Sequence, residues 1–426
     1  MTSTRPGASP ISRRADALVP GADVPSPPAD VVVLSDYFPP ASRSGGPLRS
    51  IPAIVRSEAV SARISVLTRD RDFGVRRRFT AAQIEAADRA LPGVVVRRFH
   101  GRRQPWTLWR ALRQELAPGH LLYVNSLLSP LYSLWPLLLM RCGALRRGRV
   151  LLTPRGELAP AALATKSTKK RIALPVIRRM LAGLDVVWQA SSDREAEEIR
   201  RFIGDCGQSV IVRSHPPPAP QQVASPENAV LTVAFVGRMV SGKNFRLLAE
   251  ALEGVPFRIR VLVVGILEDQ TYWRSCQSTL ERTGPNVEVI TRGHLEHDEV
   301  IETLHEADAL VLPTRGESFG HSIAEALSLG CPVVIPDTTL WTDIVRRGGG
   351  YIIDSDDPAP LVAALTALEQ RDPAMRHAAR RSAAELYARW WQADQRESSL
   401  FRSAQNAQQP PGARLAVRPR PPAGAG

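Results

Sequence analysis

Short apolar, β-branched runs recur along the chain, from Val31 to Leu34, Ile64 to Leu67, Val94 to Val96, Leu121 to Val124, Val150 to Leu152 and Val186 to Trp188. Longer segments with helical spacing lie between several of them. This alternation predicts a parallel sheet covered by helices. The pattern stops at Ser214 to Asn228, where SHPPPAPQQVASPEN is too rich in proline and polar residues to continue a helix or a central strand. It restarts with Thr232 to Val236, Arg260 to Val264, Val287 to Ile290, Ala309 to Leu312 and Pro332 to Ile335. Two successive α/β domains are therefore expected, with ligand at the carboxyl ends of the strands, in the cleft between them.

The boundaries that follow are a disordered leader over 1–28, a first domain over 29–215, a linker over 216–228, a second domain with a closing helix over 229–402, and a disordered tail over 403–426. The leader has arginines but no apolar stretch after them, so it does not read as an export signal. Leu121 to Met140 is apolar, but Asn125, Ser126, Ser129, Pro130, Ser133 and Pro136 interrupt it, which favours a buried strand, turn and helix over a membrane span. No repeat of solenoid period is visible.

Composition narrows the class. With 44% hydrophobic and 23% charged residues the chain reads as an ordinary globular protein. Cys142, Cys206, Cys276 and Cys331 lie far apart without CxxC spacing, signalling neither a zinc site nor a disulfide framework and suiting the reducing cytosol. The net charge of +13 raises the question of a polyanionic partner. A basic nucleic-acid-binding protein is one answer, but aromatics are only 6% and no recognised nucleic-acid motif accompanies the arginines.

Candidate chemistry begins after the second domain's opening strand. Gly237 to Asn244 nearly matches the phosphate-loop pattern GxxxxGK[ST], but Asn244 stands where a hydroxyl would hold magnesium. What remains is a strand-to-helix loop presenting Arg238, Lys243 and backbone N–H groups to phosphate, or simply a helix start with two solvated cations. The deciding partner is PTRGESFGHSIAEALSLGCPVV, with Glu317 in a loop and Glu325 inside the following helix. Two carboxylates near one helix N-terminus suit a ligand bearing both hydroxyls and phosphates. Taken alone, they also read as a helix-start residue and a solvated face.

Together, GRMVSGKN and PTRGESFGHSIAEALSLGCPVV resemble the nucleotide-sugar-binding half of the retaining glycosyltransferases of family 4. Glu317 and Glu325 fit that family's E, seven residues, E motif, and Arg238 and Lys243 its R-x4-K spacing. SDYFPPASRSGGPLRS is similar to the family's opening strand and glycine loop, and PRGELAPAALATKSTKK to a segment of the subgroup that builds bacterial surface polysaccharides. The resemblance implies the GT-B fold, two Rossmann-like domains facing each other across a cleft. It further implies transfer from a nucleotide-diphosphate sugar to a saccharide or lipid-linked hydroxyl acceptor, with retention and with neither metal nor other cofactor.

By the same resemblance Arg238 and Lys243 neutralise the donor diphosphate, Glu325 accepts from ribose and Glu317 from hydroxyls of the transferred sugar. Backbone N–H groups around Phe319, Gly320 and His321 approach the diphosphate and sugar. Gly45 and Gly46 let the first domain's backbone come close to donor and acceptor. His321 lines the donor site and is not assigned as a base; no protein nucleophile is nominated.

The chain also departs from the family. Pro154, Arg155 and Gly156 replace a PHG-like motif, so a charged guanidinium stands where an imidazole contacts donor sugar. Gln189 replaces another common His, and Ser214, His215 and Pro216 stand where most relatives have an Asn. Lys166, Lys169, Lys170, Arg171, Arg178 and Arg179 cluster on a helical stretch that Pro175 is expected to break. That stretch reads as a solvated face or as contact with an anionic membrane surface, which would place the protein at the cytoplasmic face of a membrane. A GT-B-like nucleotide-sugar epimerase is the alternative within enzymes.

Overall fold

The computed structural model describes residues 30–99, 104–164, 167–204, 206–223, 226–395 and 399–408. The expected leader, Lys166 and the tail beyond 408 lie outside them. Seven strands form the first sheet: β1 (Val31–Leu34), β2 (Ile64–Arg69), β3 (Val94–Phe99), β4 (Leu121–Asn125), β5 (Arg149–Thr153), β6 (Val186–Ala190) and β7 (Ser209–Val212), in the order β3-β2-β1-β4-β5-β6-β7. The second sheet contains β8 (Leu231–Val236), β9 (Ile259–Val264), β10 (Val287–Gly293), β11 (Ala309–Val311), β12 (Val333–Pro336) and β13 (Gly350–Ile353), in the order β10-β9-β8-β11-β12-β13.

Every pairing is parallel, with Val31 opposite both Ile64 and Leu121 in the first sheet. Parallel sheets need crossover helices, which cover both faces, so central strands must be apolar throughout. Val31, Val32, Val33 and Leu34 are accordingly all buried. Each such side chain contributes about 1.5–3 kcal/mol relative to exposure.

The strand order reverses between β1 and β4 and again between β8 and β11. At such points the loops at the carboxyl ends diverge and leave a crevice. Both crevices open into the space between the domains, and no helix or strand occurs from Arg213 to Val230 among the described residues. This span is tied to the second domain, since Tyr387 donates to the Pro218 carbonyl at 2.7 Å and Gln221 N–H to the Ser328 carbonyl at 2.9 Å.

Three expectations are corrected. The strands β7 and β13 join the eleven anticipated runs; each is an incompletely buried edge strand of 4 residues, shorter than the other edge strands β3 and β10 at 6 and 7, so its apolar signal is weaker. The helix Ser167–Leu181 runs through Pro175 instead of breaking there. One lost N–H bond is tolerated because Ile177 and Leu181 on the same helix are seated in the first domain's core.

The third correction concerns the end of the second domain and the start of the tail. Leu400–Asn406 is a helix, and its Leu400, Phe401 and Ala404 pack with Val31, Val33 and Tyr123 of the first sheet. Glu58 accepts from Leu400 N–H at 2.7 Å, and the Ser399 hydroxyl also bonds that carboxylate. The four cysteines are free thiols, and among the described residues no helix is long and apolar enough to cross a membrane.

Candidate active site

A cleft of about 1550 Å³ separates the domains, and Gly45, Gly46, Arg155, Arg238, Lys243, Glu317, Phe319, Gly320, His321 and Glu325 all lie on its wall. After β1, the chain turns through Gly45 and Gly46 into the helix Pro47–Glu58. A Cβ on Gly46 would stand 3.0 Å from His321 Cδ2, and one on Gly45 3.9 Å from Arg238 Nε. The two-glycine loop of the first domain therefore sits directly against the second domain's candidate phosphate-binding residues.

Opposite it, β8 leads into a loop and a short 3-10 turn, Ser241–Lys243, before the helix Phe245–Glu253. Asn244 caps this helix in the left-handed conformation (φ 57°) and donates to the Ser355 carbonyl at 2.7 Å. Asparagine adopts that region more readily than most non-glycine residues, which suits it to this position. Lys243 Nζ reaches across to Glu317 Oε1 at 2.6 Å, a largely buried pair that fixes both side chains. Arg238 instead pairs with Glu268 at 2.8 Å on a more exposed rim.

The loop carrying Glu317 is pinned from beneath. Trp341, fully buried, donates from Nε1 to the Phe319 carbonyl at 2.6 Å and packs edge-on against the Phe319 ring. The helix His321–Ser328 then buries Ile323, Ala326 and Leu327, which points Glu325 into the cleft wall at 6% exposure. Burial pushes the Glu325 carboxyl up to about 7, against the opposing pull of Arg49. His321 is driven down to about 3, first by burial and then by Arg155, Arg49 and Lys243, so its ring is neutral near pH 7.

Arg155 occupies the position expected to contact donor sugar, but its guanidinium is engaged within the first domain. It donates to Asn125 Oδ1 at 2.6 and 3.2 Å and to Ser50 Oγ at 2.6 Å, and Nη1 lies 3.3 Å from His215 Nε2. Gln189 is bonded by Tyr123, Thr153 and the Arg213 carbonyl inside the core, so it braces strands and does not reach the cleft.

Two cleft residues escaped the sequence reading of function. His215 stacks on His321 at 6.1 Å, with burial first and then Arg155 and His321 holding it well below its ordinary pKa. Its only signal was a family position occupied by an unusual residue. Arg49, one turn into the helix after Gly46, lies 3.4 Å from Glu325. His297 comes within 3.7 Å of the same carboxylate, but burial and Arg49 depress its pKa and the separation exceeds a hydrogen bond.

With this geometry in place, known proteins supply the comparison. Residues 219–386 match the family of glycosyl transferases group 1. The chain is 27% identical over 198 residues to a D-inositol 3-phosphate glycosyltransferase of Xylanimonas cellulosilytica, covering 42% of this chain and 47% of that one. It thus spans about half the length of this curated relative. Among solved structures, sucrose-phosphate synthase from Thermosynechococcus elongatus superposes with a TM-score of 0.65 at 17% identity, covering 87% of this chain and 96% of that one. Anabaena HepE in complex with UDP-glucose gives 0.63 at 14% identity, covering 86% and 98%. The architecture of the chain is therefore the GT-B fold, two Rossmann-like domains facing across a cleft.

Proposed function

We propose that the protein is a glycosyltransferase that moves a sugar from a nucleotide diphosphate to a hydroxyl acceptor, with retention at the anomeric carbon. The observation that carries this reading is the convergence of Arg238, the Lys243–Glu317 pair, Glu325 and the Gly45–Gly46 loop on one switch-point cleft. The family match over the second domain and the UDP-glucose complex of HepE support a nucleotide-sugar donor.

In this mechanism Arg238 and Lys243 offset the charge that develops on the diphosphate as the glycosidic bond breaks, so the reaction calls for no metal. Glu325 accepts from ribose hydroxyls and Glu317 from hydroxyls of the transferred sugar. Backbone N–H groups at Phe319, Gly320 and His321 approach the diphosphate and sugar. Glu317 Oε1 is paired with Lys243 at 2.6 Å, which holds the carboxylate in place to receive sugar hydroxyls. As the family resemblance implies, retention proceeds on one face of the sugar, with the leaving phosphate oxygen helping to deprotonate the acceptor. His321, neutral and half-buried, lines the donor site without acting as a base.

The acceptor is a saccharide or lipid-linked hydroxyl, and the setting is cytoplasmic, at the inner face of a membrane. The helix Ser167–Leu181 supports that placement with Ile172 at 71% and Val176 at 66% exposure beside exposed Arg178 and Arg179.

A metal-free thermal-shift titration with UDP, GDP, ADP and dTDP, run beside Glu325→Ala, tests the reading. Saturable stabilisation by one nucleotide, lost in the variant, is the expected result. The matching nucleotide sugar is then incubated with and without acceptor. Conversion of donor without any acceptor would identify an epimerase instead, and no stabilisation by any nucleotide counts against the donor site.

A further inference from the structure

A buried carboxylate outside the donor contacts ties the two domains together. Glu195 stands in the first turn of the helix Asp193–Ile203, only 3% exposed. Its Oε1 accepts from Gly156 N–H at 2.6 Å, and its Oε2 accepts from Ser191 N–H at 2.8 Å. The same Oε2 lies 2.5 Å from Ser191 Oγ and 3.2 Å from Ser318 Oγ. Ser318 belongs to the second domain, between Glu317 and Phe319. Its carbonyl accepts from Ser191 Oγ at 2.5 Å.

These contacts cannot all be made at once with the hydrogens present. Ser191 has one hydroxyl hydrogen and two acceptors at equal distance, Glu195 Oε2 and the Ser318 carbonyl. Ser191 Oγ also lies 3.0 Å from Ser318 Oγ. The Ser191 hydroxyl can donate to Glu195 or to the Ser318 carbonyl, and when it takes the carbonyl the Ser318 hydroxyl is in reach of Glu195 Oε2 at 3.2 Å. The carboxylate keeps its bonds in both arrangements, which a buried charge requires. Gly156 permits the contact, because a Cβ there would stand 3.2 Å from Ser318 Cβ and its φ is +75°.

We propose that Glu195, Ser191 and Ser318 form a hydrogen-bonded latch between the domains, and that Glu195 is a positioning residue for the loop bearing Glu317 and Phe319. The latch engages when the cleft closes and fixes the height of that loop against the first domain. It builds on the transferase reading only for its effect on turnover.

The test uses the full chain as Ser191→Ala, Ser318→Ala and the double variant, none of which alters a donor-contact side chain. Small-angle scattering without nucleotide is expected to show a larger radius of gyration for the double variant than for the wild type, with the circular dichroism spectrum unchanged. Identical radii overturn the latch. In turnover, Ser191→Ala is expected to lower kcat about tenfold, the value of one hydrogen bond to a charged network, with the donor KM nearly unchanged. A raised KM at unchanged kcat overturns the positioning role. If the wild type turns over no nucleotide sugar, the proposed function fails while the scattering comparison still decides the latch.

Discussion

Arg49 of the first domain and Glu325 of the second meet across the cleft, Nε to Oε1 at 3.4 Å. The carboxylate proposed to receive ribose hydroxyls is therefore also a contact between domains. Arg49 only partly offsets the burial of Glu325, whose pKa stands at about 7 against an ordinary 4.5. Between these values the folded protein binds more protons than the unfolded chain, so this group's contribution to stability falls as pH rises from about 4.5 to 7.

Glu325→Gln removes that dependence. Relative to wild type, the variant is expected to gain about 2–3 kcal/mol of unfolding free energy between pH 5 and pH 8, while losing nucleotide binding. Urea unfolding at the two pH values checks the sign. A gap that does not widen with pH shows that Glu325 is already ionised at low pH.

Lys243→Ala strands Glu317, whose side chain is 9% exposed, without its cation. A loss of about 1–3 kcal/mol in stability is expected, together with loss of nucleotide binding. Adding Glu317→Gln is expected to recover most of the stability and none of the binding. Calorimetric titration and thermal unfolding on the same samples separate the two effects.

Gly46→Ala places a methyl 3.0 Å from His321 Cδ2. Turnover is expected to fall about tenfold as the domains are held apart by a few tenths of an ångström, with the unfolding midpoint nearly unchanged. Wild-type turnover in this variant would mean that the glycine loop does not approach the second domain during catalysis.

Phe401→Ala is expected to cost about 3–5 kcal/mol, as for a large core aromatic. Phe401 is 2% exposed and packs edge-on to Tyr123 of β4 with centroids 5.4 Å apart. Denaturant unfolding monitored by tryptophan fluorescence measures it, and a loss below 1 kcal/mol would show that the helix Leu400–Asn406 is dispensable to the first domain.

Sequence periodicity disclosed the central strands because burial on both faces demands unbroken apolar runs such as Val31 to Leu34. It missed the edge strands β7 and β13, whose 4 residues each give too short a run, while the longer edge strands β3 and β10 were legible. The second-domain site was legible because Arg238, Lys243, Glu317 and Glu325 follow two strands directly, at fixed spacing. Arg49, His215 and Glu195 were not, since each matters through a partner more than a hundred residues away: Glu325, His321 and Ser318. Nor does any local pattern say that Leu400 and Phe401 return to the first sheet, because an amphipathic turn carries no address for the surface it covers.

That return has a consequence for biosynthesis. The ribosome delivers all seven strands of the first sheet, and then the whole second sheet, before it makes the residues that seal the first domain's apolar face. The second domain's sheet is thus complete while the first still shows an open notch beside Val31 and Tyr123. A nascent chain stalled just before Leu400 is a natural client for chaperones that grip exposed hydrocarbon.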